Sequence, residues 1–418
     1  MAKHSKKISL YELEWRTVSI RTIQIIMFSI SGLILFTIWW FFLRQAATPA
    51  STLTTIIEES AAKFIDYEGK VEIKPRDEYV WKAASFKTDL HEGDRIRTAP
   101  DSSARIKFDD GTEITIQTDS IVVISKRNVA SEKDQVLLAV VENGESDINA
   151  EKSASAPSVA TAQIRRFRLA PGSTGTVTAD QQTGQHTSVV EKGYGVVTDI
   201  RGTTTQLGSL EQLKISKDFT STKIKLPFTP PLLSPAKGQI FEFLSDQGLT
   251  IELQWRDVSN AVRYHVQISE SPLFGKIKAE RTDLTKSSIG ITIPKTQNKQ
   301  YFWRVRSIDK DRNMSPWSEP FQFVVHSPSS NKPSESLDKT PPDLKITYMH
   351  PFLPYVQVEG KTEADAFLTL NGQIIDVKDD GSFVYTYTLQ NSGWNDLKFV
   401  AEDPSGNQTT VTKKVEYR

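Results

Sequence analysis

The chain has 418 residues, no cysteine, and equal numbers of basic (Lys plus Arg) and acidic (Asp plus Glu) side chains, 51 of each. The missing cysteine excludes disulfides, thiolate metal sites and a cysteine nucleophile, and the charge balance leaves no global field to recruit nucleic acid or an acidic polymer. The length suits roughly three domains.

Residues 1–21 form a leader carrying Lys3, Lys6, Lys7, Arg16 and Arg21. From Thr22 to Leu43 there is no charged residue and a single glutamine among Ile, Leu, Phe and Trp. At helical rise this run spans roughly 33 Å, the thickness of a bilayer core. Trp39 and Trp40 suit the aromatic belt at its far end. Beyond it only Arg44 and, later, Lys63 are basic before the next domain, so the positive-inside bias predicts a cytoplasmic amino terminus and export of everything after residue 44. A cleaved signal peptide with Thr48-Pro49-Ala50 as its small-residue site is the competing reading. The apolar run exceeds an h-region and the charged leader is long, which favours an uncleaved anchor over 22–43. Residues 44–66 read as a stalk, with some helical periodicity around Thr52–Phe64.

Residues 67–217 alternate with period two. Val71, Trp81 and Leu90 precede Gly93-Asp94-Arg95-Ile96-Arg97-Thr98; Ala104, Ile106 and Phe108 follow, then Asp109-Asp110-Gly111-Thr112, then Ile114 and Ile116. This pattern sends one face of each strand into a core. Asp110-Gly111 is a hairpin turn signal, and Gly93-Asp94 a tight turn whose acidic side chain accepts backbone N–H bonds. Asp94 and Arg97 have the look of a charged catalytic pair, but turn capping plus a surface charge is the favoured reading. The spaced set Trp81, Gly93, Asp94, Arg97, Thr98, Asp110 and Gly111 resembles the periplasmic FecR domain of bacterial iron-dicitrate regulators. The resemblance implies a small rolled or solenoid-like β domain that binds and signals. It continues more loosely to about residue 216 through Leu137-Leu138 with a turn at Gly144, Phe167–Pro171, Gly175-Thr176-Val177, Val189–Gly193, Val196-Val197, Leu213 and Ile215. The polar stretch 149–161 reads as an insertion.

Two proline-rich segments, 218–235 and 327–342, read as linkers. Between them, 236–326 alternates at Ile251/Leu253/Trp255, Tyr264/Val266/Ile268, Tyr301/Trp303/Val305 and Phe321/Phe323/Val325, as a β-sandwich requires. Together with Ser315-Pro316-Trp317-Ser318, the order closely resembles fibronectin type III. Arg304, Arg306 and Trp317 suit an Arg–aromatic stack, either a structural ladder, the favoured reading, or a glycan-binding surface. Residues 343–418 repeat the logic. Asn371-Gly372 and Asp380-Gly381 are hairpin turns, and Val356-x-Val358-x-Gly360-x-Thr362 with the closing Asp403-x-x-Gly406-Asn407 resembles bacterial immunoglobulin-like domains. The fold expected is therefore all-β and multidomain: one transmembrane helix, a FecR-type domain and two sandwiches.

Catalysis finds no support. The six histidines (His4, His91, His186, His265, His326, His350) are dispersed and read as surface residues. His91-Glu92 has Arg95 where a zinc helix needs its second histidine. Gly360-Lys361-Thr362 lacks the first glycine of a phosphate loop, and no Gly-x-Ser-x-Gly occurs. Asp109-Asp110 and Asp379-Asp380 invite calcium but read as turn residues, so no metal or cofactor is expected. The reading favoured by the sequence is a membrane-tethered β-rod binding cell-wall glycan or an envelope protein. The alternative is a FecR-type transmembrane sensor, which the resemblance ties to a sigma factor. With only residues 1–21 inside, where Leu10, Leu13 and Trp15 could form one or two helical turns against a partner, direct sigma-factor control is not expected, because a short isolated helix is marginal in water.

Overall fold

A computed structural model of the chain describes residues 19–46, 61–128, 136–152, 158–162, 165–243, 248–294, 299–326, 340–352, 354–364, 366–378, 380–403 and 406–417. It divides into two compact units, Met1–Glu58 and Glu59–Arg418. In the first unit a helix runs over Ile20–Ala46. Its stretch Ile20–Phe41 has a mean hydropathy of 1.9 and is unburied by protein. A helix apolar all round, with no protein against it, suits lipid. The hydroxyls of Ser29, Ser31 and Thr37 donate to the carbonyls of Ile25, Met27 and Ile34 at 2.8–2.9 Å, which keeps their polarity inside the helix. Leu10, Leu13, Trp15, the Thr48-Pro49-Ala50 site and most of the Thr52–Phe64 periodicity lie outside the described residues.

The second unit holds three separate apolar cores. The first belongs to a β domain rolled into two facing sheets. The outer sheet contains Ala62–Glu68, Ser103–Phe108, Glu113–Ile116, Thr174–Asp180, Gln185–Lys192, Glu211–Ile215 and Ser221–Lys225. The other is built from Val71–Lys74, Arg95–Thr98, Ile121–Asn128, Ser158–Ala162, Arg165–Leu169, Tyr194–Thr198 and Thr204–Gly208. One long strand, Val136–Asn149, serves both. Its first half pairs with Ile121–Asn128 and its second with Glu113–Ile116 and Thr174–Asp180.

The crossing point is Gly144, expected from sequence to be a turn and found inside this strand with φ +88°. A Cβ there would meet Ser120 Oγ at 2.1 Å, so only glycine lets the strand bend past Ser120 from one sheet to the other. Inward residues from both sheets, among them Phe64, Ile96, Ile106, Ile116, Val122 and Leu169, are almost fully buried.

Three boundaries differ from the sequence reading. Residues 62–66, assigned to the stalk, form a strand whose Ala62 and Phe64 enter the first core. A bulge between Phe64 and Asp66 breaks the period of two there. Within 218–235, Ser221–Lys225 extends the outer sheet and Leu232–Ser234 pairs with Leu249–Trp255 of the next domain, so the prolines at 227, 230 and 231 separate two strands. Within the expected insertion 149–161, Asn149 ends the long strand and residues 158–161 lie in Ser158–Ala162.

The middle sandwich faces a three-stranded sheet against a five-stranded one around Trp255, Trp303, Phe323 and Val325. Trp255 meets Tyr264 edge-on at 5.4 Å. The last sandwich pairs three strands with four around Val358, Leu368, Phe383 and Phe399. Asn371 and Gly372, at φ 48° and 79°, make the two-residue turn between Phe367–Leu370 and Gln373–Ile375.

Candidate interaction site on the outer sheet

The motif residues of the first domain are built into its frame. Asp94 is 5% exposed, and its carboxylate accepts the backbone N–H groups of His91 at 2.8 Å and Arg76 at 3.0 Å. Gly93 takes φ +92° and donates its N–H to the carbonyl of Ile124 at 2.8 Å. Thr98 Oγ1 donates to the carbonyl of Gln117 at 2.6 Å and accepts the Ser120 N–H at 3.0 Å. Arg97 pairs with Glu72, and its guanidinium lies 4.3 Å from the Trp81 ring. Asp110 accepts the Thr112 N–H at 2.9 Å across the turn that Gly111 completes. Asp94 and Arg97 therefore have different partners, and their arrangement suits turn and sheet support.

The side chains that converge lie elsewhere, on the outward face of the outer sheet. Pairing in register aligns Asp66, Arg105, Thr115, Asp147, Thr176, Val189 and Gln212 in one row across six strand pairs. Glu145 stands two residues before Asp147 on the same face, opposite Thr178. Thr176 Oγ1 lies 2.7 Å from Asp147 Oδ1 and 3.0 Å from Glu191 Oε1. Loss of hydration among the crowded neighbours, then the neighbouring Asp147 charge, raises the Glu145 and Glu191 carboxyls to about 7, although Glu145 stays exposed and Glu191 only half-buried. Burial also raises Asp66.

The middle sandwich covers this face. Arg304 and Arg306 alternate outward from its strand Lys299–Ile308, and their guanidiniums lie 4.4 and 4.3 Å from the Trp317 ring. Arg304 also donates to Gln267 Oε1 at 2.7 Å, and Arg306 Nε donates to His265 Nδ1 at 3.1 Å. Glu280 closes the ladder 2.6 Å from His265 Nε2. The expected Arg–aromatic stack thus forms, and it turns toward the first domain. Burial brings Arg304 down to about 10, against the opposing pull of Asp147 and Glu145. Glu145, Asp147 and Glu191 line a cleft of about 370 Å³ with Arg304, Arg306 and Trp317. A second cleft of about 720 Å³ shares Asp147, Glu191 and Trp317 with it and continues to Arg105 and Glu113.

A second contact anchors the sandwich. Gly275 donates its N–H to Glu68 Oε2 at 3.1 Å, and a Cβ on Gly275 would meet Ser103 Oγ at 2.6 Å and Ser103 N at 2.9 Å.

The last sandwich reaches the same sheet. Lys107 Nζ donates to the Tyr355 hydroxyl at 2.7 Å and lies 4.1 Å from its ring centroid. Tyr355 in turn donates to Glu113 Oε1 at 2.8 Å. Thr386 Oγ1 donates to the Ile65 carbonyl at 2.7 Å. Burial, then Glu113, raises the Tyr355 phenol.

Two histidines depart from the expected surface position. His265 is 5% exposed and His186 is 3% exposed. His186 lies on the inward phase of Gln185–Lys192. His265 points away from its own core, but the Arg306–Trp317–Glu280 ladder encloses it. Asp110 and Asp380 spend their carboxylates on Thr112 and Ser382 within their turns, while Asp379 lies outside the described residues. Among the described residues no group of three or more His, Asp or Glu side chains is placed to hold a metal. The face is thus suited to charge-paired contact between surfaces. Its one sequence signal is Glu145-x-Asp147, acids at period two beside the inward Ser146 and Ile148.

Residues 94–197 match the FecR family, described as FecR protein. No curated protein sequence matches the chain. Two solved chains from Parabacteroides distasonis, each named as a candidate anti-sigma factor, align at 17% and 15% identity with TM-scores of 0.28 and 0.27. The alignments cover 31% and 36% of this chain and 59% and 78% of theirs, so the chain spans only 59% of the first. Fibronectin(III)-like modules of Clostridium thermocellum CbhA align at 13% identity and a TM-score of 0.18, over 45% of this chain and 94% of that one.

Proposed function

We propose that this protein is a non-catalytic, single-pass regulator of the bacterial inner membrane. Its β domains stand in the periplasm and report the state of an envelope partner to the membrane helix. The observation that carries this reading is the FecR match over 94–197 on a chain with a bilayer-length apolar helix before it. Lys3, Lys6, Lys7, Arg16 and Arg21 ahead of that helix favour a cytoplasmic amino terminus. The match favours the sensor over the tethered rod that the sequence had put first. The packing supports the same choice. A rod holds its modules apart, whereas Gly275 and Tyr355 tie both sandwiches to one sheet, as a relay between domains requires.

The test replaces residues 1–18 with a Gly/Ser segment that retains three lysines, leaving Arg21 and the helix intact, and compares whole-cell transcript profiles with those of the native chain and a deletion strain. A regulator gives a defined transcript set lost in both altered strains while the β domains remain exported. If only the full deletion has an effect, the exported domains act by binding alone. Crosslinking in intact cells then identifies the envelope protein or wall glycan they contact.

A further inference from the structure

The two sandwiches leave a groove over the outer sheet. A cleft of about 270 Å³ between the sheet and the last sandwich is lined by Asp66, Arg105, Glu113 and Tyr355. Arg105 and Glu113 also line the cleft of about 720 Å³, which shares Asp147, Glu191 and Trp317 with the one beneath Arg304 and Arg306. The three clefts therefore adjoin. Their floor is the outward row from Asp66 to Gln212, every member of which lines one of them. Six strand spacings make this floor roughly 29 Å long, the reach of about eight extended residues.

The charged groups along the groove are not spent on one another. Arg105 Nε donates to the Thr115 hydroxyl at 3.2 Å, while Glu113 beside it is already held by Tyr355 and Lys107. Arg304 and Arg306 donate to Gln267 and His265. Asp147 accepts from Gln117 Nε2 at 2.5 Å. Thr176 Oγ1 lies 2.7 Å from Asp147 and 3.0 Å from Glu191, with one proton for two carboxylates. Arg105, Asp147, Glu191, Arg304 and Arg306 thus hydrogen-bond to uncharged groups. Their signs alternate along the groove: Asp66, Arg105, Asp147 with Glu191, then Arg304 with Arg306. The aromatic rings offer no matching platform for a sugar. Trp317 has both guanidiniums against it at 4.4 and 4.3 Å, and Tyr355 has Lys107 at 4.1 Å.

We propose that this groove binds an extended peptide segment of mixed charge, with a basic side chain seated between Asp147 and Glu191 and an acidic one on Arg105. The proposal gives the chemistry of the envelope partner and rests on the regulator reading for its purpose alone. An ammonium or guanidinium supplies the donors that one threonine hydroxyl cannot give to both carboxylates. A peptide carboxylate on Arg105 in turn makes the charge-assisted bonds that Thr115 does not. Arg105 and Asp147 are two strand spacings apart in the row, through Thr115, which is roughly 10 Å. The acidic and basic residues of the ligand therefore stand about three positions apart in an extended chain.

The test pans a phage-displayed library of random dodecapeptides on the full chain in lipid nanodiscs, after depletion on empty nanodiscs. Enriched peptides are then synthesised and their affinities read by fluorescence anisotropy. The expected peptides carry an acidic and a basic residue about three positions apart. Asp147→Asn with Glu191→Gln should weaken their binding about tenfold or more, and Arg105→Gln by a similar factor. Circular dichroism checks that the sheets of these variants are intact. Exchanging the two charged residues within the peptide should weaken binding comparably, and that comparison leaves the protein unaltered. Failure of any peptide to enrich over empty nanodiscs overturns the proposal. So do enriched peptides without the charge pattern, or affinities that neither the protein variants nor the exchanged peptide change. Displacement of the peptide by wall glycan stripped of its peptides would assign the groove to sugar and overturn it as well. The measurement involves no transcription, so a groove that binds no peptide leaves the regulator reading standing, and a chain with no transcriptional role leaves the groove standing.

Discussion

Tyr355 of the last sandwich donates its hydroxyl to Glu113 of the first domain at 2.8 Å while accepting from Lys107 at 2.7 Å. The residues are 242 and 248 positions apart in sequence, and the relay is half-buried. Tyr355→Phe keeps the ring against the Lys107 ammonium but removes the hydroxyl bridge, leaving Lys107 and Glu113 to each other at 3.5 Å. We expect a loss of roughly 1–2 kcal/mol in the association of this sandwich with the sheet. Hydrogen exchange in the Ala62–Glu68 and Ser382–Thr388 strands should speed up while the sandwich's own melting transition is unchanged. If exchange there is as slow as in the native chain, Tyr355 does not hold the two together.

Asp94 sits where a loop and a strand meet, and its carboxylate serves two backbone amides from residues 3 and 18 positions away. Removing it strands two donors in a site that is 5% exposed. Asp94→Ala should lower stability by roughly 2–4 kcal/mol, and Asp94→Asn, which keeps one acceptor oxygen, by about half as much. Urea titration followed by tryptophan fluorescence checks both. Equal losses for the two variants would show that charge, and not hydrogen-bond acceptance, is what the site requires.

Gly144 bends the strand shared by the two sheets. Gly144→Ala must relieve both a φ of +88° and the contact with Ser120. The expected cost is roughly 3 kcal/mol or more. Adding Ser120→Gly removes the steric share and should return part of the loss but not all, because the backbone conformation still disfavours a Cβ. Full recovery in the double variant would assign the whole effect to packing.

What the sequence displayed and what it hid divide along one physical line. Alternation exposes the inward face of a strand, so Ile96, Ile106, Val122, Leu253, Trp303 and Phe399 are legible as core, and all are essentially buried. Asn371-Gly372 announces its turn because few residues adopt positive φ. Alternation fails where the period slips. The bulge between Phe64 and Asp66 makes Ala62–Glu68 read as the end of a stalk. Alternation is also silent about what covers an outward face. Asp147, Arg304 and His265 all have the phase of solvated residues, and the shielding they have comes from a neighbouring domain or from a stack closed by Trp317, a loop residue distant in sequence. The acidic face was written in the sequence as composition, but nothing local identified its occupant.

His265 offers the most direct probe of that hidden environment. Burial, then the neighbouring Arg306 guanidinium, holds its imidazole below the ordinary value, while Glu280 pulls the other way. A depressed histidine contributes stability that is present above its unfolded value, about 6.5, and lost as pH falls through the folded one. Glu280 is lowered too, by its hydrogen bonds with Gln267 and His265, so its contribution fades in acid in the same direction. The middle sandwich should therefore weaken below about pH 6. Imidazole NMR on the full chain, with His265→Gln to assign the resonance, should give a titration midpoint under 6.5. Arg306→Gln removes the like charge at 3.1 Å from Nδ1 and should raise that midpoint. A midpoint that does not move would mean that desolvation alone sets it. A midpoint that falls would mean that Arg306 orders the ring for Glu280 and that its charge matters less than its hydrogen bond.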